Sequence, residues 1–363
     1  MQNRRRAIVI HSPHAGRSAQ LSAALTLLEQ AGLEIVNSIS IAELDNLPPQ
    51  GAIWQESGID MAIAAGGDGL AGGVITHIAD SGLPLGLLPL GTSNDIARSL
   101  AIPQDLQSAA QVIVRGRIQE VDVGVARPAQ QAPHPASKGQ FGPLQQYVSP
   151  QKHGYFAHAL TIGLNVQFAR IATNVATRQR FGRLTYPFAA LEVLKFHQAL
   201  EVGLHFEGLA FPHSNRFLPG LTRTRPATAQ ENVPLHCRAL QVAVINAPIF
   251  GGQWQFSLPG AKLGDGLLDI VVIEEVESGS LSARLAQLFG HKEQQPLPEP
   301  VRDEYHPGEL SGIPGIHHLQ ARSVIITTNA DPRDATLDGE VRGSTPIHAH
   351  VAEKQLQVVV PAY

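Results

Sequence analysis

The chain has a single cysteine, Cys237, among its 363 residues. An internal disulfide is therefore excluded, and the count fits a reducing compartment. Long apolar runs are also missing: none reaches the roughly 18 residues that a membrane-spanning helix needs. Behind the basic start Met1-Gln-Asn-Arg-Arg-Arg6 the apolar stretch is only Ala7 to Ile10, too short for a signal peptide. The expectation is a soluble, cytoplasmic protein with no transmembrane segment. A lipid partner would have to be met peripherally, at the membrane surface. Charge of one sign is lacking too. The net charge of −4 leaves no broad basic field, so no nucleic acid is expected as a partner. The 16 histidines do not make a zinc site: His11 with His14, His317 with His318 and His348 with His350 come without a matching set at ligand spacing.

Length, by contrast, is ample for two domains with real cores. Ala7–Ile10, Leu33–Ile41, Met61–Ala65 and Leu85–Leu90 read as strands. Between and after them lie helical stretches, one with Leu21, Ala24, Leu25 and Leu28 at helical spacing and Gly32 as its stop, and another over Asp105–Arg115. That alternation predicts an α/β domain with a largely parallel sheet over residues 1–127. Glu120–Val125 reads as the strand that leaves it. Residues 128–363 read as a mostly antiparallel, β-rich domain. Its strands are expected at 155–166, 201–206, 240–245, 267–273, 323–328 and 355–360, with one helix over 184–200. Stretches rich in proline and polar residues near 128–152, 209–236 and 291–315 read as insertions.

The chemistry is concentrated where strands end in glycine. Met61–Ala65 runs into Gly66-Gly67-Asp68-Gly69, and Leu85–Leu90 runs into Gly91-Thr92-Ser93-Asn94-Asp95. A glycine turn between strand and helix lets backbone N–H groups approach an anion. Asp68 would repel a phosphate unless Mg²⁺ lay between them, so the pair suggests a metal–nucleotide site. A lone GGDG is equally read as a tight turn. Two such turns at neighbouring strand ends would face one crevice of a parallel sheet.

These motifs, with Ala97 and Arg98 after the second turn and Asp338-Gly339-Glu340 near the C-terminus, resemble the diacylglycerol kinase catalytic family, in particular its soluble bacterial lipid kinases. The likeness runs from Ala7 to about Pro361. It implies a two-domain fold shared with NAD kinases, and an ATP- and Mg²⁺-dependent transfer to a lipid hydroxyl in the interdomain cleft. It implies that Gly66, Gly67 and Gly69 lie against the phosphates, that Asp68 takes part in metal-assisted transfer, and that Thr92 binds a phosphate oxygen. Ser12-Pro-His-Ala-Gly16 resembles the family's first nucleotide loop, N-P-x-x-G, with Ser12 in place of Asn. Glu340 matches the proton acceptor for the lipid hydroxyl. Ala261–Asp269 resembles a D-G-x-L-D segment that holds a structural Mg²⁺, through the Asp265 carboxylate and the Lys262 and Leu267 carbonyls.

Plainer readings stand beside these. Asn94 is read as a nucleotide contact, as a brace of its own turn or as a helix N-cap. Ser40, at the end of the second strand, is a nucleotide contact or a surface hydroxyl. Glu340 follows an Asp-Gly pair that would by itself be a hairpin turn with an exposed Glu. A type I′ turn on Asp265-Gly266 is compatible with the metal reading. A homodimer is left open. The chain also departs from the family pattern G-G-D-G-T-x-N-E: Leu70, Gly72 and Gly73 stand for Thr, Asn and Glu. The expectation is a loosened nucleotide site, with a catalytically weak nucleotide- or lipid-binding protein as the alternative. An NAD kinase is less favoured, because the GTxND-like and DGE stretches belong to the lipid branch.

Overall fold

The computed structural model describes residues 4–12, 18–129, 154–164, 166, 199–210, 233–250, 256–258, 260–275, 316–329 and 331–362. Gly16 and nearly all of the three insertions lie outside these residues, as does most of the helix expected over 184–200.

The first domain contains β1 (Arg6–His11), α1 (Leu21–Gln30), β2 (Glu34–Ser40), α2 (Ile41–Leu44), α3 (Gly51–Glu56), β3 (Met61–Gly66), α4 (Asp68–Ile78), β4 (Leu85–Pro89), α5 (Asp95–Ser99), α6 (Leu106–Arg115) and β5 (Arg117–Val121). Every residue of β3 and β4 is buried. Strands covered on both faces read as continuous apolar runs, which is why these two were plain in the sequence. Gly32 takes φ +111° just past α1, the left-handed conformation that favours glycine at a helix end. Asp105 caps α6 by accepting the Ser108 N–H at 2.8 Å.

The second domain contains β6 (Gly124–Pro128), β7 (Gly154–Phe156), β8 (Ala159–Gly163), β9 (Leu200–Glu207), β10 (Val233–Ile245), the two-strand ribbon β11 (Ile249–Phe250) and β12 (Phe256–Ser257), β13 (Leu268–Glu274), β14 (Ile316–Ala321), β15 (Ser323–Thr328), β16 (Asp334–Leu337), β17 (Glu340–Ser344) and β18 (Ile347–Val351). The pairings within this sheet are antiparallel. Its core gathers Phe156, Leu204, Phe206, Val242, Ile270 and Ile326.

The last strand, β19 (Leu356–Val360), crosses back. It enters the first sheet, whose order is β2-β1-β3-β4-β19-β5. It runs parallel to β4 and antiparallel to β5. The strand expected over 120–125 is broken at Asp122, with β5 in one sheet and β6 in the other. Asp122 is buried and its carboxylate accepts from Gly266 N at 2.7 Å and Gln355 Nε2 at 2.9 Å. Those bonds turn the chain there, five residues before the boundary expected at 127. The sheet order reverses between β1 and β3, so the crevice outside the carboxyl ends of β1, β3 and β4 is the place where such sheets bind ligands.

Candidate active site

The two glycine turns meet. Gly66 pairs with Pro89 at the sheet's end, and the Leu90 N–H donates to Gly66 O at 3.0 Å. A Cβ on Gly91 would strike the Cα of Gly67, so the turns touch backbone to backbone and a side chain there would push them apart. Asp68 is the first residue of α4, and its Oδ1 accepts the N–H of Ile96, the second residue of α5, at 2.9 Å. One carboxylate thus ties both helix starts together. Asn94 is 3% exposed, at φ +53°. Its Oδ1 accepts from Gly91 N at 2.9 Å, and its Nδ2 donates to Gly91 O and Gln104 Oε1, each at 3.1 Å. The amide is spent on the turn, which is the bracing role; it makes no helix-cap bond. Thr92 is exposed at the tip of the same turn.

The C-terminal motif comes to this place. Asp338 and Gly339 take φ +49° and +86° between the paired residues Leu337 and Glu340. Two positive φ values joining β16 to β17 are those of a type I′ hairpin. The plainer reading of Asp-Gly is therefore right in its geometry, and the Glu340 side chain is 55% exposed. It nevertheless faces α4: Glu340 Oε1 lies 3.1 Å from where a Cβ on Gly69 would stand. Arg342 Nε donates to Glu340 Oε2 at 2.8 Å, and Arg342 Nη2 donates to the same oxygen. One carboxylate oxygen is held by the guanidinium while the other is turned to the first turn of α4.

The departures from the family pattern have physical occupants. Leu70 is 7% exposed and packs in the first core, against Gly66. A Cβ on Gly73 would come within 2.9 Å of Ile41 Cδ1. At Gly72 it would come within 2.5 Å of Asp338 Oδ2. Helix-interior glycine costs about 1 kcal/mol against alanine, and here it leaves room for neighbours. The expectation from these departures is a loosened nucleotide site; at Gly72 the space that a side chain would take is filled by the Asp338 carboxylate. That Asp338 carboxylate accepts three backbone N–H groups: Ala157 at 2.9 Å, His158 at 2.8 Å and Ala159 at 3.0 Å. Burial pushes its pKa up from the ordinary aspartate value, against those donors and the neighbouring His158. The same bonds split the strand expected over 155–166 into β7 and β8. Sequence reading missed this role of Asp338; two adjacent glycines inside a helical stretch were the available signal of close approach.

The remaining candidates lie outside this contact, and the segment with Lys262, Asp265 and Leu267 sits at the opposite, amino end of the parallel strands, beside Asp122. Ser12 follows β1, at the same carboxyl end of the parallel strands as the two glycine turns. Ser40 is the N-cap of α2 in a full capping box: its Oγ accepts from Glu43 N at 3.3 Å, and its N–H donates to Glu43 Oε2 at 2.8 Å. Those bonds from Ser40 hold the Glu43 carboxyl below its ordinary pKa. Of the expected structural metal ligands, Asp265 Oδ1 accepts from Leu267 N at 3.1 Å. Lys262 is exposed nearby. The positive φ values fall on Gly264 and Gly266, not on Asp265, so the type I′ turn expected on Asp265-Gly266 is not formed. Burial, then the charges of Asp269 and Asp122, pushes the Asp265 carboxyl up. A cation would relieve that repulsion, and a carboxylate beside carbonyls is the hard-oxygen set that suits Mg²⁺. Among the described residues, no three His, Cys, Asp or Glu side chains converge as a metal cluster.

A family model described as the diacylglycerol kinase catalytic domain matches residues 6–126, and one described as the YegS C-terminal NAD kinase beta sandwich-like domain matches residues 159–295. Residues 6–126 thus match a diacylglycerol kinase catalytic domain, followed by the second domain's match. It is 25% identical to a diacylglycerol kinase of Staphylococcus saprophyticus, over 99% of this chain and 96% of that protein. It is 24% identical to one of Staphylococcus epidermidis, over 99% and 93%. Two solved chains from Bacillus anthracis, each 20% identical, align over 99% of this chain with TM-scores of 0.63 and 0.58. They cover 96% and 98% of those chains, and the second is a diacylglycerol kinase. At that identity the likeness speaks for the fold. The catalytic-domain match supports a phosphotransferase, and no described helix is long and apolar enough to cross a membrane.

Proposed function

We propose that this chain is an ATP- and Mg²⁺-dependent lipid kinase, acting on a lipid hydroxyl such as that of diacylglycerol. The observation that carries the reading is the approach of Glu340 Oε1 to Gly69, one residue from Asp68. It puts a candidate base beside a candidate metal–phosphate turn, although about 270 residues of chain separate them. α4 starts directly after the carboxyl end of β3, and a helix N-terminus there would offer backbone N–H groups and its dipole to the phosphates of ATP. Gly66, Gly67 and Gly69 allow the backbone to approach them, and Thr92 offers a hydroxyl to a phosphate oxygen. Asp68 would hold Mg²⁺ at the transferring group. Mg²⁺, when bound, would neutralise charge on the β- and γ-phosphates. Lys262, Asp265 and Leu267 would hold a second, structural ion.

Glu340 accepts the proton of the lipid hydroxyl. The lipid oxygen forms its bond to the γ-phosphorus while the bond from that phosphorus to the β-phosphate oxygen breaks, and ADP leaves. Arg342 keeps one Glu340 oxygen occupied, so the other is the one presented to substrate. The acceptor would be met at the membrane surface from the cytoplasm, which would place the enzyme in phospholipid metabolism.

A second reading has its own support. The first turns of α4 carry Leu70, Gly72 and Gly73 where the family has polar groups, and Leu70 is buried. That favours a weak nucleotide- or lipid-binding protein on the same scaffold. A radiolabelled-ATP assay over a panel of lipid acceptors, with sphingosine and NAD included, decides. Steady transfer to a glycerolipid is expected; ATP binding without transfer to any acceptor would leave the binding protein.

A further inference from the structure

We propose that Asp338 is a positioning residue, docked into a notch that Gly72 leaves in α4, and that this contact sets the place of the Glu340 carboxylate. The positioning half of this rests on the kinase reading above; the docking half does not.

The geometry runs through one side chain. Asp338 Oδ2 lies 2.5 Å from where a Cβ on Gly72 would stand, so any side chain at 72 would displace it. The same oxygen accepts from Ala157 N, and Oδ1 accepts from His158 N and Ala159 N. The Asp338 N–H donates to Ala159 O at 2.9 Å. Asp338 therefore joins the hairpin of β16 and β17 to the β7–β8 connection and seats both against α4. α4 is the helix whose first residue is Asp68. Two residues beyond Asp338, on a two-residue turn with little freedom, is Glu340. Its Oε1 lies over Gly69, one turn of α4 before Gly72. A second tie grips the far end of α4: Tyr155 Oη, on β7, donates to Asp80 Oδ2 at 3.0 Å. The helix is thus held by the second domain near both ends, and the Asp338 seat is the one beside the site.

On this account Gly72 is matched to Asp338 and is not a lost nucleotide ligand. Glu340 is placed by docking against a helix, so a small shift of the seat moves it relative to Asp68. Misplacement of about 1 Å is enough to cost a large factor in rate.

The docking is tested by a double-mutant cycle read in thermal unfolding, which needs no activity. In the wild-type chain Gly72→Ala should lower Tm by a few degrees, because the new methyl meets Asp338. In an Asp338→Gly background, which keeps the left-handed turn, the same change should raise Tm, since alanine is the better helix residue. Equal effects in both backgrounds, or a neutral Gly72→Ala in the wild type, would overturn the docking. The positioning is tested with Asp338→Asn. Asparagine before glycine preserves the type I′ turn but sets an amide against a backbone N–H. Turnover should fall roughly 10- to 100-fold while the KM for ATP moves less than about threefold, since the nucleotide contacts are untouched. A rise in the ATP KM at constant kcat would overturn it. If the wild type transfers phosphate to no acceptor, the kinase reading fails by itself and the cycle still decides the docking.

Discussion

Asp68→Asn separates the chemistry of the glycine turn from its architecture. In the wild type one carboxylate oxygen accepts the Ile96 N–H at 2.9 Å. Asparagine keeps an acceptor in that place, so the two turns should stay tied. What is lost is the charge: a bond to a charged acceptor contributes about 1.5–3 kcal/mol against about 1 for a neutral one. A negative group at a helix start adds about 0.3–1 kcal/mol. The variant should therefore be about 1–2 kcal/mol less stable, a Tm loss of a few degrees, and should remain folded. Turnover should respond differently. On the kinase reading, the Asp68 carboxylate is the group that would hold Mg²⁺ at the transferring phosphoryl group, and the variant lacks it. A fall of roughly 10²-fold or more, about 2.7 kcal/mol in the barrier, is expected. The assay is radiolabelled transfer to diacylglycerol in mixed micelles at saturating ATP, with thermal unfolding measured on the same preparations. Transfer near wild type would refute the reasoning and leave Asp68 as a turn residue. So would lost transfer accompanied by a collapse in Tm, because the defect would then be structural.

Leu70→Thr, which restores the family residue, should lower stability by about 2–4 kcal/mol in urea unfolding, since it removes buried hydrocarbon and buries a hydroxyl. It should not lower the ATP KM; a several-fold gain in ATP affinity with unchanged stability would contradict the core placement of Leu70. Asp265→Ala should lower Tm in Mg²⁺ and blunt the rise in Tm that added Mg²⁺ gives the wild type, by linkage; an unaltered Mg²⁺ response would remove this metal site. Asp105→Ala removes the cap of α6 and should cost about 1 kcal/mol at neutral pH. Its N–H bond from Ser108 holds the Asp105 carboxyl below the ordinary aspartate value. A carboxyl with a depressed folded pKa stabilises above its unfolded pKa and loses that contribution as pH falls through the folded one. The gap in Tm between wild type and Asp105→Ala should therefore shrink below the ordinary aspartate range; a gap that widens in acid would reverse the sign of the argument.

The sequence by itself determined the first domain's plan. β3 and β4 lie at the centre of a covered parallel sheet, so each is an unbroken apolar run, and such runs ending in glycine can be located without a fold. It also determined which residues were chemically eligible: Asp68, Thr92 and Glu340 stand out because each is a polar residue set in or next to a glycine turn. Tertiary structure decided the rest, because the deciding contacts join residues far apart in the chain. β19 reads as one more β strand, yet only sheet closure could send it back between β4 and β5. Asp122 and Asp338 look like ordinary loop carboxylates until the backbone N–H groups of Gly266 and of Ala157, His158 and Ala159 arrive at them. Gly72 looks like a missing asparagine until Asp338 fills its space. A local pattern records what a residue does to its own turn. It cannot record a neighbour brought from more than 250 residues away, and at this site that neighbour determines whether a glycine is a loss or a fit.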